Sequence, residues 1–154
     1  MPFLHIINNF EIGYDKVEAE EIMDILFKKK VWLYNANTPN FSKINVDDKV
    51  IVYIAGAGRR YFTATFTIKS KMMKHEFQPE NQTETVLLNM FKYYCEITDI
   101  VIFKEPVNIL KLKEELEFIK DKKNYGLFFR QSVKSINQRD YEKILQSVNM
   151  VQAI

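Results

Sequence analysis

Two neighbouring runs of residues constrain the fold of this chain more than any other feature of its sequence. Residues 49–55 carry apolar groups at nearly every position, which is typical of a strand covered on both faces. Residues 61–69 alternate between apolar and polar side chains, so we expect one face to point inward and the other outward. The expected inward residues are Phe62, Ala64, Phe66 and Ile68, and the expected outward residues are Thr63, Thr65 and Thr67. Residues 56–60, which include two glycines, predict the turn of a hairpin.

Further strands and helices are predicted on both sides of this hairpin. Residues 3–7 predict a buried first strand that ends at the amides Asn8 and Asn9. Residues 15–30 have apolar side chains at helical spacing, with acidic residues early and lysines late, which predicts a helix. The remaining expected elements are a long surface loop at 72–89, strands at 91–97 and 100–103, a short helix over 109–119 and a last helix capped by Asn137.

The order of these elements predicts the fold class. Strands outnumber helices, and short turns join consecutive strands, which excludes a doubly wound α/β fold. The order favours an α+β fold in which a strongly curved, mostly antiparallel sheet or β-barrel is flanked by helices. With 154 residues, of which 47% are hydrophobic, we expect a single domain over residues 1–154.

Composition and motifs favour a binding protein over an enzyme. The formal net charge is only +2, so any contact with nucleic acid must come from a local basic patch. Cys95 is the sole cysteine, which excludes an internal disulfide and a cysteine-based zinc site. There is no phosphate-binding glycine loop with a lysine, no His-Glu-x-x-His and no nucleophile elbow. We therefore expect a cytoplasmic protein with no cofactor, no metal, no catalytic residues and no membrane partner.

Trp32 is the only tryptophan, and it lies between the three lysines at 28–30 and a polar turn at 35–40. An indole ring can stack on a nucleobase while nearby lysines attract phosphate, which together predict a nucleic-acid contact. Two alternatives stay open at this point. A lone tryptophan also serves as a core anchor, and lysines at a helix end also complement the helix dipole.

The order of several segments resembles the EVE domain of the PUA-like superfamily, which is related to the YTH and ASCH domains. The segments are the strand that ends in Asn8 and Asn9, the helix, Val31-Trp32, and the strands at 48–53 and 61–66. Residues 116–125 and 128–132, with Asp140-Tyr141, are similar to the closing segment of the same family. The resemblance therefore covers nearly the whole chain.

The resemblance implies a pocket that accepts one flipped, chemically modified base, as the YTH domain does with N6-methyladenine. It places Trp32 as one aromatic wall and Asn8 or Asn9 as the group that reads the base edge. A second wall is implied at Phe91, with Tyr93 close by, and Tyr34 is a further candidate wall. Tyr125 matches a family tryptophan. Taken singly, Asn8, Phe91 and Tyr125 also fit plain structural roles.

The implied function is that of a non-catalytic reader of a modified base, with DNA favoured over RNA and a link to modification-dependent restriction. Its partners would be modified nucleic acid and a nuclease or NTPase, either separate or fused. Candidate phosphate contacts are Arg59, Arg60, Lys122, Lys123 and Arg130, which alternatively solubilise a turn or end a helix. Other functions implied within the superfamily are an RNA-binding module and an ASCH-like enzyme. The enzyme would require Lys69, Thr67 and Glu96 to converge. A protein-interaction module is a third possibility.

Overall fold

The computed structural model of the chain describes residues 1–148 and 150–153, which form strands and α-helices joined mostly by short connections. The strands are β1 Phe3–Ile7, β2 Phe10–Ile12, β3 Asp15–Val17, β4 Val31–Tyr34, β5 Lys49–Ile54, β6 Tyr61–Ile68, β7 Met73–Lys74, β8 Tyr93–Asn108, β9 Val133–Ser135 and β10 Met150–Ala153. The α-helices are α1 Ala19–Lys29, α2 Gln82–Met90 and α3 Gln138–Gln146. Short 3-10 helices lie at Phe41–Lys43, Ile109–Lys111 and Tyr125–Phe129.

One curved sheet organises the fold. Its strands follow the order β10-β8-β6-β5-β1-β9, and β4 and β7 also pair with β8. Strands β1 and β5 run parallel, with Ile7 opposite Ile54, whereas the other described pairs in this sheet are antiparallel. The sheet curls into a half-barrel, so the predicted α+β class with a mostly antiparallel curved sheet is confirmed. None of the helices in the described part of the chain has the length and apolar character needed to cross a bilayer.

Hydrophobic clusters cover both faces of this sheet. Successive side chains of β1 and β5 point to opposite faces, so Phe3 and Val50 join one cluster while Leu4 and Ile51 join the other. We call these the first cluster, which includes Trp32, and the second cluster, which includes Tyr53. Because both faces are covered, residues Val50 to Ile54 are all buried, and the prediction for this strand is confirmed.

The alternating pattern of β6 gave a prediction that is wrong for one face. Thr63, Thr65 and Thr67 were expected to face solvent, yet all three are buried, because β6 lies between β5 and β8 with both of its faces covered. The β5–β6 register also shifts by one residue at Thr63. Phe62 therefore packs in the second cluster, whereas Ala64, Phe66 and Ile68 pack in the first.

Four other predictions from the sequence differ from the structure. The first helix begins at Ala19, since residues 15–17 pair with residues 10–12 as a small hairpin. The predicted loop at 72–89 contains α2, and the two strands predicted at 91–97 and 100–103 are one long strand, β8. In the region predicted as a helix over 109–119, the described helical structure is the 3-10 helix at Ile109–Lys111. Its four apolar residues, Ile109, Leu112, Leu116 and Ile119, are nevertheless buried in the second cluster.

Candidate functional site

A cavity of about 260 Å³, here called the tryptophan cavity, lies where β1 ends against α1, β4 and α2. Asn8 and Asn9 line it directly after β1, and Trp32 and Tyr34 line it from β4. Further apolar walls come from Phe10, Ile22, Leu26, Leu87, Met90 and Phe91. The lining is thus mostly apolar with a few polar groups, which is the usual character of a small-molecule pocket.

Trp32 serves the core and this cavity at once. Its side chain is only 6% exposed, and its ring stacks on Phe66 with centroids 5.1 Å apart and planes at 30°. Phe27 lies against it at 6.1 Å in a tilted arrangement. The indole therefore anchors the first cluster, and part of its surface lines the cavity. The two interpretations of this residue in the sequence do not exclude each other.

Tyr34 is held in place by a buried histidine. Its Oη lies 2.7 Å from Nε2 of His5, and both side chains are buried. Burial lowers the pKa of His5 to about 3, so the imidazole is neutral at physiological pH. Burial also raises the pKa of Tyr34, with smaller contributions from Cys95 and Asp48, so the phenol keeps its proton. The pair is a neutral hydrogen bond that fixes one wall of the cavity.

The two amides after β1 differ in how they are used. Oδ1 of Asn9 accepts a hydrogen bond from the backbone N–H of Ala19 at 2.8 Å, which fixes the start of α1. Asn8 is exposed and forms no hydrogen bond with any residue that the structure describes. Its amide therefore keeps both a donor and an acceptor for a ligand. The sequence left the choice between them open, and the geometry favours Asn8.

The structure brings together five of the residues predicted for the pocket and separates two from them. The residues at the tryptophan cavity are Trp32, Asn8, Asn9, Tyr34 and Phe91. Tyr93 lies opposite Tyr34 on β8, but its ring packs edge-on against Phe41 at 5.1 Å and is not among the lining residues. Tyr125 lines a different cavity, because its segment packs against the second cluster.

Several lining residues were not predicted from the sequence. Leu87 and Met90 come from α2, in a segment that was expected to be a loop, and Phe10 comes from the hairpin before α1. The signal that could have revealed α2 is the cap at Asn81, whose Oδ1 accepts from the backbone N–H of Glu84 at 2.9 Å. An acidic residue three positions after such a cap is a known start signal for helices.

The five side chains predicted to contact phosphate differ in whether they already bind a partner within the protein. Arg59 forms ion pairs with Glu18 and Glu20, and the distance from its Nε to the Glu20 carboxylate is 2.8 Å. Lys122 donates to the backbone carbonyl of Leu116 at 2.6 Å. Arg60 and Lys123 are exposed and line the second cavity together with Tyr125, and Arg130 is exposed as well. Arg59 and Lys122 are thus occupied within the protein.

The groups considered for an ASCH-like enzyme do not converge at the tryptophan cavity. Lys69 and Glu96 line another cavity of about 270 Å³, which contains neither Trp32 nor Asn8. Thr67 is buried, and its hydroxyl accepts a hydrogen bond from Nζ of Lys49 at 3.0 Å. The three residue types therefore do not surround one ligand position.

Solved structures with a similar fold include a protein bound to methylated DNA. Human THYN1, in complex with 5-methylcytosine-containing DNA, has a TM-score of 0.61 and 13% identity over 94% of this chain and 95% of that chain. ASCH from Zymomonas mobilis has a TM-score of 0.60 and 13% identity over 96% of both chains. The N-terminal domain of Staphylothermus marinus McrB has a TM-score of 0.51 and 11% identity over 95% of this chain and 93% of that chain. At these identities the likeness establishes the fold alone.

A comparison with sequence models of protein families shows to which family the chain belongs. A comparison with curated protein sequences produced no match. The model of the EVE domain, in contrast, matches residues 16–147, which is most of the chain and includes Trp32, α2 and the closing segment. The predicted resemblance and the PUA-like fold class are confirmed. The chain belongs to the EVE domain family.

Proposed function

We propose that this chain is a non-catalytic reader that holds a flipped, modified base of nucleic acid, with DNA favoured, in the tryptophan cavity. The observation that carries the proposal is the cavity itself. Trp32, Tyr34 and Phe91 supply aromatic walls, and Asn8 stands among the lining residues with an unused amide. The complex of human THYN1 with 5-methylcytosine-containing DNA supports DNA as the ligand.

The size and lining of the cavity suit one modified base. A cavity of about 150 Å³ admits a benzene ring. The tryptophan cavity, at about 260 Å³, has room for a base with a small added group. Each stacked aromatic ring contributes about 1–3 kcal/mol, and extruding a base from a duplex costs a few kcal/mol. Two or three rings are therefore enough to offset base flipping.

Selectivity for a modified base has two physical sources here. A methyl group placed against Leu26 and Leu87 leaves water for an apolar wall, and one such group gives about 10-fold or greater discrimination in a hydrophobic pocket. The amide of Asn8 offers one donor direction and one acceptor direction to the polar edge of the base. The methyl site would recognise the modification, and Asn8 would recognise the base.

A link to modification-dependent restriction remains part of the proposal. It is supported by the fold shared with the N-terminal domain of Staphylothermus marinus McrB. In this role the chain reports the presence of a modified base to a nuclease or NTPase, which is either a separate partner or a fused domain.

The direct test is a titration with DNA and RNA oligonucleotides that carry an unmodified base, N6-methyladenine, 5-methylcytosine or 5-hydroxymethylcytosine. Because Trp32 is the only tryptophan, its fluorescence reports on the cavity without any background from other indoles. We expect quenching by one modified oligonucleotide at a concentration about 10-fold lower than by its unmodified counterpart. Equal quenching by every oligonucleotide would sink the proposal, and release of product from a modified nucleoside would favour the enzyme.

Variants at the amide make the test specific. Asn8→Ala should abolish base preference while the protein stays folded, because Asn8 is exposed and has no described hydrogen-bond partner. Asn89→Ala is the matched control, since Asn89 is also exposed but does not line the cavity. Trp32→Phe, with binding followed by anisotropy of labelled DNA, is preferable to Trp32→Ala because the indole is part of the core.

A further inference from the structure

A second cavity, of about 360 Å³, lies at the end of β5 beside the second cluster; we call it the arginine cavity. Tyr53 and Phe129 line it and stack on each other with ring centroids 4.1 Å apart and planes at 20°. Gly56 and Gly126 lie at its edge, and a Cβ built at Gly126 would meet no atom within 4 Å. The cavity is therefore lined by two stacked aromatic rings and by two residues that have no side chain.

Hydrogen-bond donors and positive charges concentrate around this cavity. The guanidinium of Arg60 lies 3.4 Å from Oη of Tyr125, and Lys123 lines the same space. Nζ of Lys113 lies 5.1 Å from the centroid of the Tyr125 ring. None of these three cations forms an ion pair with a residue in the described ranges, 1–148 and 150–153. The cavity is thus positively charged, although the chain as a whole is nearly neutral.

Arg60 differs sharply from its neighbour Arg59, whose charge is offset by Glu18 and Glu20. The backbone of Arg60 is fixed on both sides, since its N–H donates to the carbonyl of Ile54 at 2.9 Å and its carbonyl accepts from the N–H of Ile109 at 3.0 Å. A fixed backbone limits the positions that the guanidinium can take. The side chain of Arg60 lines the cavity, donates to Oη of Tyr125 and forms no ion pair with a described residue.

The acidic group nearest in sequence to Lys123 is already engaged. The carboxylate of Asp121 accepts hydrogen bonds from the backbone N–H of Asn124 at 3.1 Å and from its side-chain amide at 2.9 Å. These bonds lower the pKa of Asp121. Asp121 therefore stays ionised and stabilises the turn at residues 121–124, and it forms no ion pair with Lys123 in the part of the chain that the structure describes.

Tyr53 adds a neutral donor to the cationic ones. Its side chain lines the arginine cavity, and its hydroxyl forms no hydrogen bond with any described residue. Burial raises the pKa of Tyr53, and nearby Tyr125 raises it further against an opposing effect of Arg60, so the phenol keeps its proton. A protonated phenol, a guanidinium and an ammonium match the several acceptor oxygens of a phosphate group.

We propose that the arginine cavity is a second binding site, which takes a phosphate group of a nucleic-acid backbone through Arg60, Lys123 and Tyr53. Arginine binds phosphate through two parallel hydrogen bonds, which a lysine at the same place cannot reproduce. The half-buried ring of Tyr125, which lines the same cavity, offers an aromatic surface for the sugar or base attached to that phosphate.

The two cavities flank the same end of the paired strands β1 and β5. Ile7 lines the tryptophan cavity and Ala55 lines the arginine cavity, and the N–H of Ala55 donates to the carbonyl of Ile7 at 3.0 Å. The cavities lie on opposite faces of the sheet, so a strand of nucleic acid that passes around this end of β1 and β5 would engage both sites. This step rests on the proposed function, whereas phosphate binding at the arginine cavity does not depend on it.

The experiment compares inorganic phosphate, deoxyadenosine, deoxyadenosine monophosphate and an unmodified single-stranded oligonucleotide, with the backbone amides followed by NMR. We expect phosphate, the monophosphate and the oligonucleotide to shift the signals of Gly56 and Gly126, and deoxyadenosine to leave them unchanged. Arg60→Gln should weaken binding of the oligonucleotide about 10-fold. The slope of log affinity against log salt concentration should become shallower by about 0.7, the value for one phosphate of a single strand. Tyr53→Phe, which removes only a hydroxyl group, should weaken binding by a smaller factor.

Lys104→Gln is the control, because Lys104 is an exposed cation that does not line the cavity and is not a candidate phosphate contact. An equal loss of binding in Lys104→Gln and Arg60→Gln would overturn the site in favour of diffuse electrostatic attraction. Absence of any shift with phosphate and the monophosphate would also overturn it. If the monophosphate binds as tightly as the oligonucleotide, the ligand is a free nucleotide, and the backbone assignment is wrong. Inorganic phosphate carries no base, so its shifts at Gly56 and Gly126 test this proposal separately from the modified-base pocket.

Discussion

His5 connects the hydrophobic core to the candidate pocket at the level of single residues. Its ring lies 5.6 Å from the centroid of Trp32 and 5.7 Å from that of Phe66, and its Nε2 contacts the hydroxyl of Tyr34. A charge on this imidazole would be buried among aromatic rings with no carboxylate as a hydrogen-bond partner in the described chain. His5 must therefore stay neutral for Trp32 and Tyr34 to keep their positions in the wall of the tryptophan cavity.

This condition predicts a loss of stability in acid. The pKa of His5 is about 3 in the folded chain and about 6.5 in the unfolded chain, so between these values the unfolded state binds the additional proton. The free energy of unfolding should fall as the pH drops below about 6.5, by up to about 1.4 kcal/mol per pH unit from this group alone. Above that pH the contribution is constant.

Urea denaturation of the wild type and of His5→Gln over this range measures the effect. The variant should be less stable at neutral pH, because its replacement cannot fill the space of the imidazole ring. Its stability should fall less steeply on acidification, so that the two curves approach each other towards about pH 4. Parallel curves would mean that His5 is protonated at the same pH in both states.

Helix α2 forms part of the pocket wall and is joined to its neighbour by a buried charge. It supplies Leu87 and Met90 to the tryptophan cavity, and it is tied to α1 by an ion pair between Lys29 and Glu84 at 3.0 Å. Glu84 is buried and also accepts a hydrogen bond from Nδ2 of Asn81 at 3.4 Å. The charge of Glu84 therefore joins the cap of α2 to the neighbouring helix.

We predict that Glu84→Gln loosens α2 more than it destabilises the whole chain. Loss of a charged hydrogen-bond partner at a largely buried position costs about 1–3 kcal/mol. Native-state hydrogen exchange should become faster at Leu87 and Leu88, and the affinity for a modified oligonucleotide should fall with it. Glu80→Gln, at an exposed glutamate nearby, is the control and should change neither measurement. Unchanged hydrogen exchange in Glu84→Gln would show that the ion pair with Lys29 does not stabilise α2.

The elements also show where the sequence was sufficient. Strands β1 and β5 and the cap of α3 were predicted, because their signals are local: apolar runs, and an asparagine whose Oδ1 accepts from the N–H of Asp140 at 2.7 Å. Helix α2 was missed because residues 82–85 are polar, and because much of its stabilisation is long-range: Leu87 and Leu88 pack in the first cluster, and Glu84 pairs with Lys29. The same holds for residues 15–17, which continue a helical pattern but pair with residues 10–12.

For the whole molecule, sheet topology decides which candidate residues meet. Trp32, Asn8 and Phe91 come together because β1, β4 and the end of α2 converge, and a resemblance over ordered motifs was enough to group them. Tyr125 was assigned to the same pocket, yet it packs by the second cluster with Arg60 and Lys123. Its placement follows from the packing of residues 125–129 against the second cluster, a long-range contact that no local pattern in the sequence reveals.

The shared end of β1 and β5 leads to a prediction about ligand length. If one strand engages both cavities, the second contact becomes intramolecular once the first has formed, and affinity rises with the length of the strand until both cavities are reached. A modified nucleoside, a dinucleotide and longer single strands with the same modified base should therefore bind with increasing affinity and then reach a plateau. Arg60→Gln should leave the nucleoside unaffected and reduce the gain for the longer strands. Isothermal titration calorimetry across this series tests the arrangement. If one strand does not occupy both cavities, the nucleoside and the longest strand should bind with equal affinity.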